Sequence, residues 1–585
     1  MRESTPLLYG KQRGGGFGFR QYPWSTWIVA GLACVASLAI ISMAFVSFKD
    51  ATDPYDVGRF IHITDLHIDP NYRQGSTTYS QCHRQPPIQA AKQDDDGRNT
   101  GRFGIPRAEC DSPLALINAT RDYLRHKWAD NVDFVLWTGD SGRHDGDADM
   151  PRTFDEIVEQ NRIASSAMRH AFPPSVPIVP NIGNNDVSPH NDLPAPGHKR
   201  ARATFRKLAT AWKGLVPEDQ LNTFHYGGYF AKDVASKPGG KNGRGLTVLS
   251  LNTMYWYRAN AKVGGCKAED SPGLAQMAWI RFQIRRARER DHDLILIGHV
   301  SPSLDNYRPS CYRDYARTVT QLIPPPSLLS KSANSSSSSS SLSSSGTLPN
   351  IHAQLYGHSN VDLWSFVGQD VSIQGEQLKE EDDEGRLWWE RQVDEESGRF
   401  GKLIREVWNV SKASEQDDEE EEASVVRESL WEDMDDDFVE SKSLPSDFVN
   451  SLIKEFERVL MLKQRNPRLG VATISPSIIP KYMPAFRVFS YVRSPSAGRR
   501  RLPLGTLLDY DVYWANIAKH NVKTLSTSSA DESKGAFFQL LYRFSSEYNL
   551  PDLSPESYLK WARKLVQSKK LRKRFRALAY LEPAR

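Results

Sequence analysis

The sequence predicts an α/β fold, on three observations. Short apolar runs the length of buried strands recur within residues 60–72, 133–145, 176–186, 246–256, 293–300 and 352–362. Segments at 113–128, 153–170 and 274–290 carry apolar residues at helical spacing with charged outer faces, so strands alternate with helices. Five of the apolar runs end in Asp, His or Asn, and strand ends are where α/β proteins build their sites.

The chain begins with a Gly-rich, basic stretch, 1–23, carrying Lys11, Arg13 and Arg20, which reads as a cytosolic tail. Glu3, Leu7 and Leu8 have the form of an acidic dileucine sorting signal. Residues 24–48 carry no charge and are long enough to cross a bilayer as one helix. The positive residues before it favour an N-terminus inside, and Trp24 and Trp27 sit where an interfacial belt would lie. A cleaved signal peptide is the rival reading. The apolar run is long for one, and no A-x-A site follows. The expectation is a single-pass type II membrane protein with everything after Lys49 in a lumen.

Cysteine usage agrees with an oxidising lumen. Cys34 falls in the span, and the other four, Cys82, Cys110, Cys266 and Cys311, make an even number. Pairing of Cys82 with Cys110 and of Cys266 with Cys311 is expected from their proximity to the same loops. No C-x-x-C spacing exists to suggest zinc held by cysteine. Sequons at Asn118, Asn334 and Asn409 fit glycosylation in a secretory compartment.

The chemistry is concentrated in the five strand ends. FIHITDLHIDPNY at 60–72 delivers Asp65 and His67 into the loop after its apolar run. DFVLWTGDSGRHD at 133–145 ends in Asp140, with His144 and Asp145 just beyond. VPIVPNIGNND at 176–186 ends in Asn184 and Asn185, DLILIGHV at 293–300 in His299, and HAQLYGHSNVD at 352–362 in His358 and Asn360. Any one of these reads as turn chemistry after a strand. Five in series, all with metal-ligand residue types, point to a metal site.

The order D-x-H, G-D, G-N-x, G-H, G-H-x-x resembles the calcineurin-like metallophosphoesterases. GDSGRHD, GRFGIPRAECDSP at 101–113 and the tail MPAFRVFSYV…FFQLLYRFSSEYNLPDLSPESYLKWARKLV are similar to their acid sphingomyelinase branch. Within that branch, G-N-N-D, G-H-S-N-V-D and the single N-terminal anchor most resemble the fungal vacuolar endopolyphosphatases. The resemblance covers roughly 58–367 and 478–567.

It implies a four-layer sandwich, two mixed sheets flanked by helices, over a catalytic domain at 57–367. It also implies two divalent metal ions. Asp65, His67 and Asp140 would hold the first, with Asp140 bridging, and Asn184, His299 and His358 the second. The family's closing motif supplies a second His to the first metal where this chain has Asn360. An amide oxygen is a harder ligand, which tilts the choice from zinc toward manganese, cobalt or magnesium. The implied activity is hydrolysis of internal phosphoanhydride bonds of inorganic polyphosphate, by a metal-bridging hydroxide attacking phosphorus in line.

Asn185 stands where the family often has a His that protonates the leaving group. A phosphate leaving group is a weak base and departs without that proton, so Asn185 favours a phosphoanhydride over a phosphodiester of an alcohol. His144 remains a candidate acid or phosphate contact. Two other readings stay open: a sphingomyelin-like or nucleotide phosphodiesterase, and a membrane-anchored polyphosphate-binding protein with a dead site, supported only by Asn360.

Two interruptions separate these parts. Residues 323–348 are Pro-rich and then almost pure Ser, which predicts a disordered loop. An insert at 368–477, dense in Glu and Asp over 377–440, reads as largely disordered and solvated, or more sharply as an acidic flap competing with a polyanion until a protease removes it. Residues 478–567 read as a small C-terminal α+β subdomain. The basic tail at 568–585 carries Lys569, Lys570, Arg572, Lys573, Arg574 and Arg576, which suits a polyphosphate chain, an anionic membrane surface or no partner at all. The formal charge of only +4 hides that asymmetry. No recognition motif supports nucleic acid as a partner. A long polymeric substrate would suit a homo-oligomer.

Overall fold

A computed structural model describes residues 55–84, 100–235, 245–323, 349–368, 445–461, 469–495, 502–526 and 537–582. The chain falls into two units, Met1–Tyr55 and Asp56–Arg585, and all described residues beyond Tyr55 belong to the second. The expected membrane span at 24–48, most of the Ser-rich stretch and the acid-dense 377–440 lie outside the described residues. Among the described residues no helix is long and apolar enough to cross a membrane.

Among the described residues fourteen strands run in chain order: β1 (Tyr55–Ile63), β2 (Ile68–Asp69), β3 (Ser112–Pro113), β4 (Phe134–Trp137), β5 (Ile178–Pro180), β6 (Phe230–Ala235), β7 (Gly245–Ser250), β8 (His292–Ile297), β9 (Ile351–Tyr356), β10 (Leu363–Val367), β11 (Gly470–Ile474), β12 (Ala485–Pro495), β13 (Leu507–Trp514) and β14 (Gln539–Arg543). They form two six-stranded sheets, β14-β13-β12-β1-β4-β5 and β10-β11-β9-β8-β7-β6, and a two-stranded β2-β3 pair. Both large sheets are mixed. β1, β4 and β5 run parallel, as do β7, β8, β9 and β11, while β12–β14, β6–β7 and β10–β11 pair antiparallel.

The parallel strands lie where both faces are covered, so β4 (FVLW) and β8 (HDLILI) are buried at every position rather than at alternate ones. Phe60 of β1 shows the packing: its ring stacks on Phe134 of β4 at 4.7 Å and on Phe489 of β12 at 5.0 Å. Residues of both sheets belong to one hydrophobic core.

Helices fill the crossovers where periodicity predicted them, at Leu114–Trp128, Phe154–Ala171 and Pro272–Arg290. Thr153 caps the second by accepting the Glu156 N–H, and Ser271 caps the third, with Pro272 at its first position.

The C-terminal half is less separate than its sequence suggests. Strands β12–β14, from the stretch read as a subdomain, complete the first sheet beside β1. The stretch read as a largely disordered insert, 368–477, contributes the helix Pro445–Met461 and strand β11 of the second sheet. Val449, Leu452, Ile453, Phe456 and Val459 of that helix are buried at helical spacing, and Phe456 stacks on Trp364 at 4.4 Å. The neighbouring acidic run masked this pattern in composition. The basic tail forms the helix Lys569–Ala579, which buries Phe575 against Trp561 and pairs Arg574 with Glu547.

Candidate metal centre

Because β1, β4 and β5 are parallel neighbours, as are β8 and β9, their C-terminal ends open on the same side of each sheet. Those ends carry the ligand candidates. Two groups result, Asp65–His67–Asp140 and Asp140–His299–His358, and within each the potential ligand atoms lie within 4.8 Å of one another. Asp140 belongs to both. Its Oδ2 stands 3.4 Å from His67 Nε2 and 3.1 Å from His299 Nε2. Asn184 joins the second group, its Oδ1 being 2.9 Å from both His299 Nε2 and His358 Nδ1.

The surroundings aim these atoms inward. His67 Nδ1 donates to the Gly142 carbonyl at 2.9 Å and His299 Nδ1 to the Thr138 carbonyl at 2.8 Å, which fixes each ring and leaves Nε2 for a cation. Asn184 Nδ2 faces His190 Nε2 at 2.9 Å, which turns its oxygen to the site. Asn360 follows His358 in the same loop, and its Oδ1 is buried with no hydrogen-bond partner among the described residues.

The backbone is held in a costly shape to do this. Asp65, His67, Asp140, His358 and Asn360 all have positive φ, between 38° and 73°, in the left-handed region that side-chain-bearing residues avoid. Glycines make room beside them. A Cβ on Gly183 would stand 1.9 Å from Asp140 Oδ1, and one on Gly357 would stand 2.0 Å from Thr64 Oγ1 and 2.6 Å from Asp65 Oδ2.

Electrostatics agree. Burial pulls the His67 pKa down, but Asp65 and then Asp140 outweigh it and raise it to about 9. His299 is likewise raised to about 9, by Asp140 and then Asp65 against burial. Burial would raise the Asp140 carboxyl, yet His299 and then His67 hold it well below its ordinary value. His358 is lowered to about 4 by burial and by His299. The pocket thus draws protons to the places cations would take. Shared carboxylate, inward imidazoles and the orphaned Asn360 oxygen all fit divalent cations.

Both residues expected to act in catalysis stand against this set. Asn185 bonds Asp140 through its backbone N–H, 2.8 Å to Oδ1, and its side-chain Nδ2, 2.9 Å to Oδ2. The His144 ring stacks on His67 with centroids 4.1 Å apart. Cys82 is bonded to Cys110 and Cys266 to Cys311. Asn118 is exposed on its helix, while Asn334 and Asn409 lie outside the described residues.

Two residues escaped the sequence reading. Asp186 braces the turn that carries Asp140. Its Oδ2 accepts from the N–H groups of Asp140 (2.9 Å) and Gly183 (2.8 Å), and its Oδ1 from those of Ser141 (2.9 Å) and Gly142 (3.1 Å) and from Asn161 Nδ2 (2.9 Å). It closes the G-N-N-D motif, which is the signal that could have found it. Asp111, next to Cys110, holds His144.

Residues 58–362, more than half of the chain, match the calcineurin-like phosphoesterase family, and the chain belongs to it. That family implies divalent metal ions, and the mixed-sheet α/β architecture is the family's. Among curated proteins, the chain is similar to an endopolyphosphatase of Cryptococcus neoformans, 35% identical over 54% of this chain and 44% of that one. It is similar also to those of Neurospora crassa (30% identical, 74% and 52% covered) and Saccharomyces cerevisiae (28% identical, 81% and 67% covered). The chain spans about half the length of the first two relatives. Among solved structures, a dimetal phosphatase from Danio rerio aligns at 10% identity with a TM-score of 0.23, covering 43% of this chain and 73% of that one.

Proposed function

We propose that the chain is an endopolyphosphatase, hydrolysing internal phosphoanhydride bonds of long-chain inorganic polyphosphate to shorter chains. The observation that carries this is the sharing of Asp140 between two ligand groups, read together with relatives that bear the name. Asp65, His67, Asp140 and Asn360 would hold one divalent ion, and Asp140, Asn184, His299 and His358 a second. Zinc, manganese, cobalt and magnesium are the candidates. Divalent cations bound there would supply Lewis-acid activation and charge neutralisation at phosphorus.

Residues of the chain narrow the substrate. Asn185 spends its amide on Asp140 and has no acidic proton to give. A phosphate leaving group needs none, whereas the alkoxide from a sphingolipid does. His144 has its side chain 30% exposed and would touch the phosphoryl group of the bound chain as its catalytic residue.

The wider setting belongs to the same proposal. Residues 24–48 would anchor the chain in the vacuolar membrane as a single-pass type II protein, with the phosphoesterase unit in the lumen and glycans on Asn118, Asn334 and Asn409. A homo-oligomer and a processing protease complete the expected partners.

The test is hydrolysis of long-chain polyphosphate by the full chain in detergent, with each divalent metal or with chelator, and products sized on a gel. A ladder of intermediate lengths that chelator abolishes supports the proposal. Free phosphate beside intact long chains overturns internal cutting. Turnover of sphingomyelin without turnover of polyphosphate overturns the substrate.

A further inference from the structure

We infer that Asp111 is the positioning residue for His144, fixing its tautomer and aiming its Nε2 at the substrate. The inference rests on the role proposed for His144 above. Both Asp111 oxygens serve this one residue. Oδ2 accepts the His144 backbone N–H at 2.7 Å, and Oδ1 accepts Nδ1–H, also at 2.7 Å. With Nδ1 fixed as the donor to Asp111, Nε2 is the ring's remaining polar atom. One face of the ring is stacked on His67 at an interplanar angle of 15°, which restrains it further.

Asp111 is itself held firmly. It is 6% exposed, and on one side of it Cys110 is bonded to Cys82. On the other side Ser112 donates its N–H to the His67 carbonyl at 2.9 Å and pairs with Ile68 in the β2-β3 ladder. The residue that sets His144 is therefore built into the loop that carries His67. His67, Asp111 and His144 also stand close enough together to hold a cation. The full use of Asp111 by His144 favours the dyad. This gives the site an oriented imidazole beside His67, whereas Asn185 offers only an amide, already bonded to Asp140.

Asp111→Asn tests it. The new amide keeps the shape but presents N–H to the ring, so the proton moves to Nε2. In the metal-loaded full chain, kcat on polyphosphate should fall about 100-fold with KM held within about twofold. Added to His144→Ala, the change should cost nothing further. Ring nitrogen shifts in histidine-labelled protein, assigned by the signal that His144→Ala removes, should show Nδ1–H in the wild type and Nε2–H in the variant. A wild-type kcat, multiplying losses in the double variant, unchanged nitrogen shifts, or loss of one metal equivalent in Asp111→Asn would each overturn the inference. If the wild type left polyphosphate intact, the proposed function would fall, and the nitrogen shifts would still decide the place of Asp111.

Discussion

Asn185 grips Asp140 at both carboxylate oxygens, backbone N–H to Oδ1 at 2.8 Å and side-chain Nδ2 to Oδ2 at 2.9 Å. The oxygen that faces both His67 and His299 is thus the one the amide steadies. Replacing Asn185 by Leu removes the side-chain bond to a charged oxygen. Outer bonds of this kind set metal affinity by about 10–100-fold. Metal titration of apo-protein should show a weakening of that order in Asn185→Leu. Unchanged affinity would mean that the amide does not hold the carboxylate.

Gly183 is the closest neighbour that could be enlarged. A methyl there would press Asp140 Oδ1 from 1.9 Å and its backbone nitrogen from 2.4 Å, so Asp140 must move. Displacements of about 1 Å at reacting groups cost about 100-fold in rate. Gly183→Ala should lose that much kcat. Gly264→Ala, where a Cβ meets nothing within 4 Å, should lose none.

Asp362 lies two residues beyond Asn360 and fixes the end of that loop. Arg487 of β12 donates from Nε to its Oδ1 at 3.0 Å, and Tyr542 from its hydroxyl to Oδ2 at 2.6 Å. Both charged side chains are fully buried. Breaking such a pair leaves a buried charge uncompensated, at about 3–5 kcal/mol. Arg487→Met should destabilise by that amount in denaturant melts, and adding Asp362→Leu should recover most of it. No recovery would mean the loss is one of packing.

Glu455, on the helix Pro445–Met461, has its pKa raised from the ordinary 4.5 to about 7 by burial, with Arg458 opposing and Asp305 adding. Tyr312 faces it as well. Between those values the folded chain keeps a proton that the unfolded chain has released. This group's contribution to stability is therefore lost as pH rises from about 4.5 to 7. Thermal melts across that window should show a steeper decline in the wild type than in Glu455→Gln. Parallel curves would contradict the assignment.

The centre was legible where its signal is local. An apolar run followed within a few residues by Asp, His or Asn marks both a strand and a candidate ligand, and Asp65, His67, Asp140, His299 and His358, which the fold groups together, were readable so. What supports them was not, because the partners are distant in sequence. Asp111 meets His144 across 33 residues, Asp186 meets Asp140 across 46, and Arg487 meets Asp362 across 125. The pairing of β12 beside β1 and of β11 beside β9 is non-local in the same way, so residues 478–567 read as a subdomain packed on the catalytic domain when they complete one of its sheets. The helix Pro445–Met461 has strong periodicity of its own and was hidden by the acidic run before it.

Asp140 belongs to both ligand groups, so one carboxylate would serve two cation sites. Metal content of the purified chain and of single variants tests it most directly. The wild type should carry about two equivalents, His67→Ala and His299→Ala about one each, and Asp140→Ala almost none. A wild type with a single equivalent, or an Asp140→Ala chain that still holds two, would contradict it.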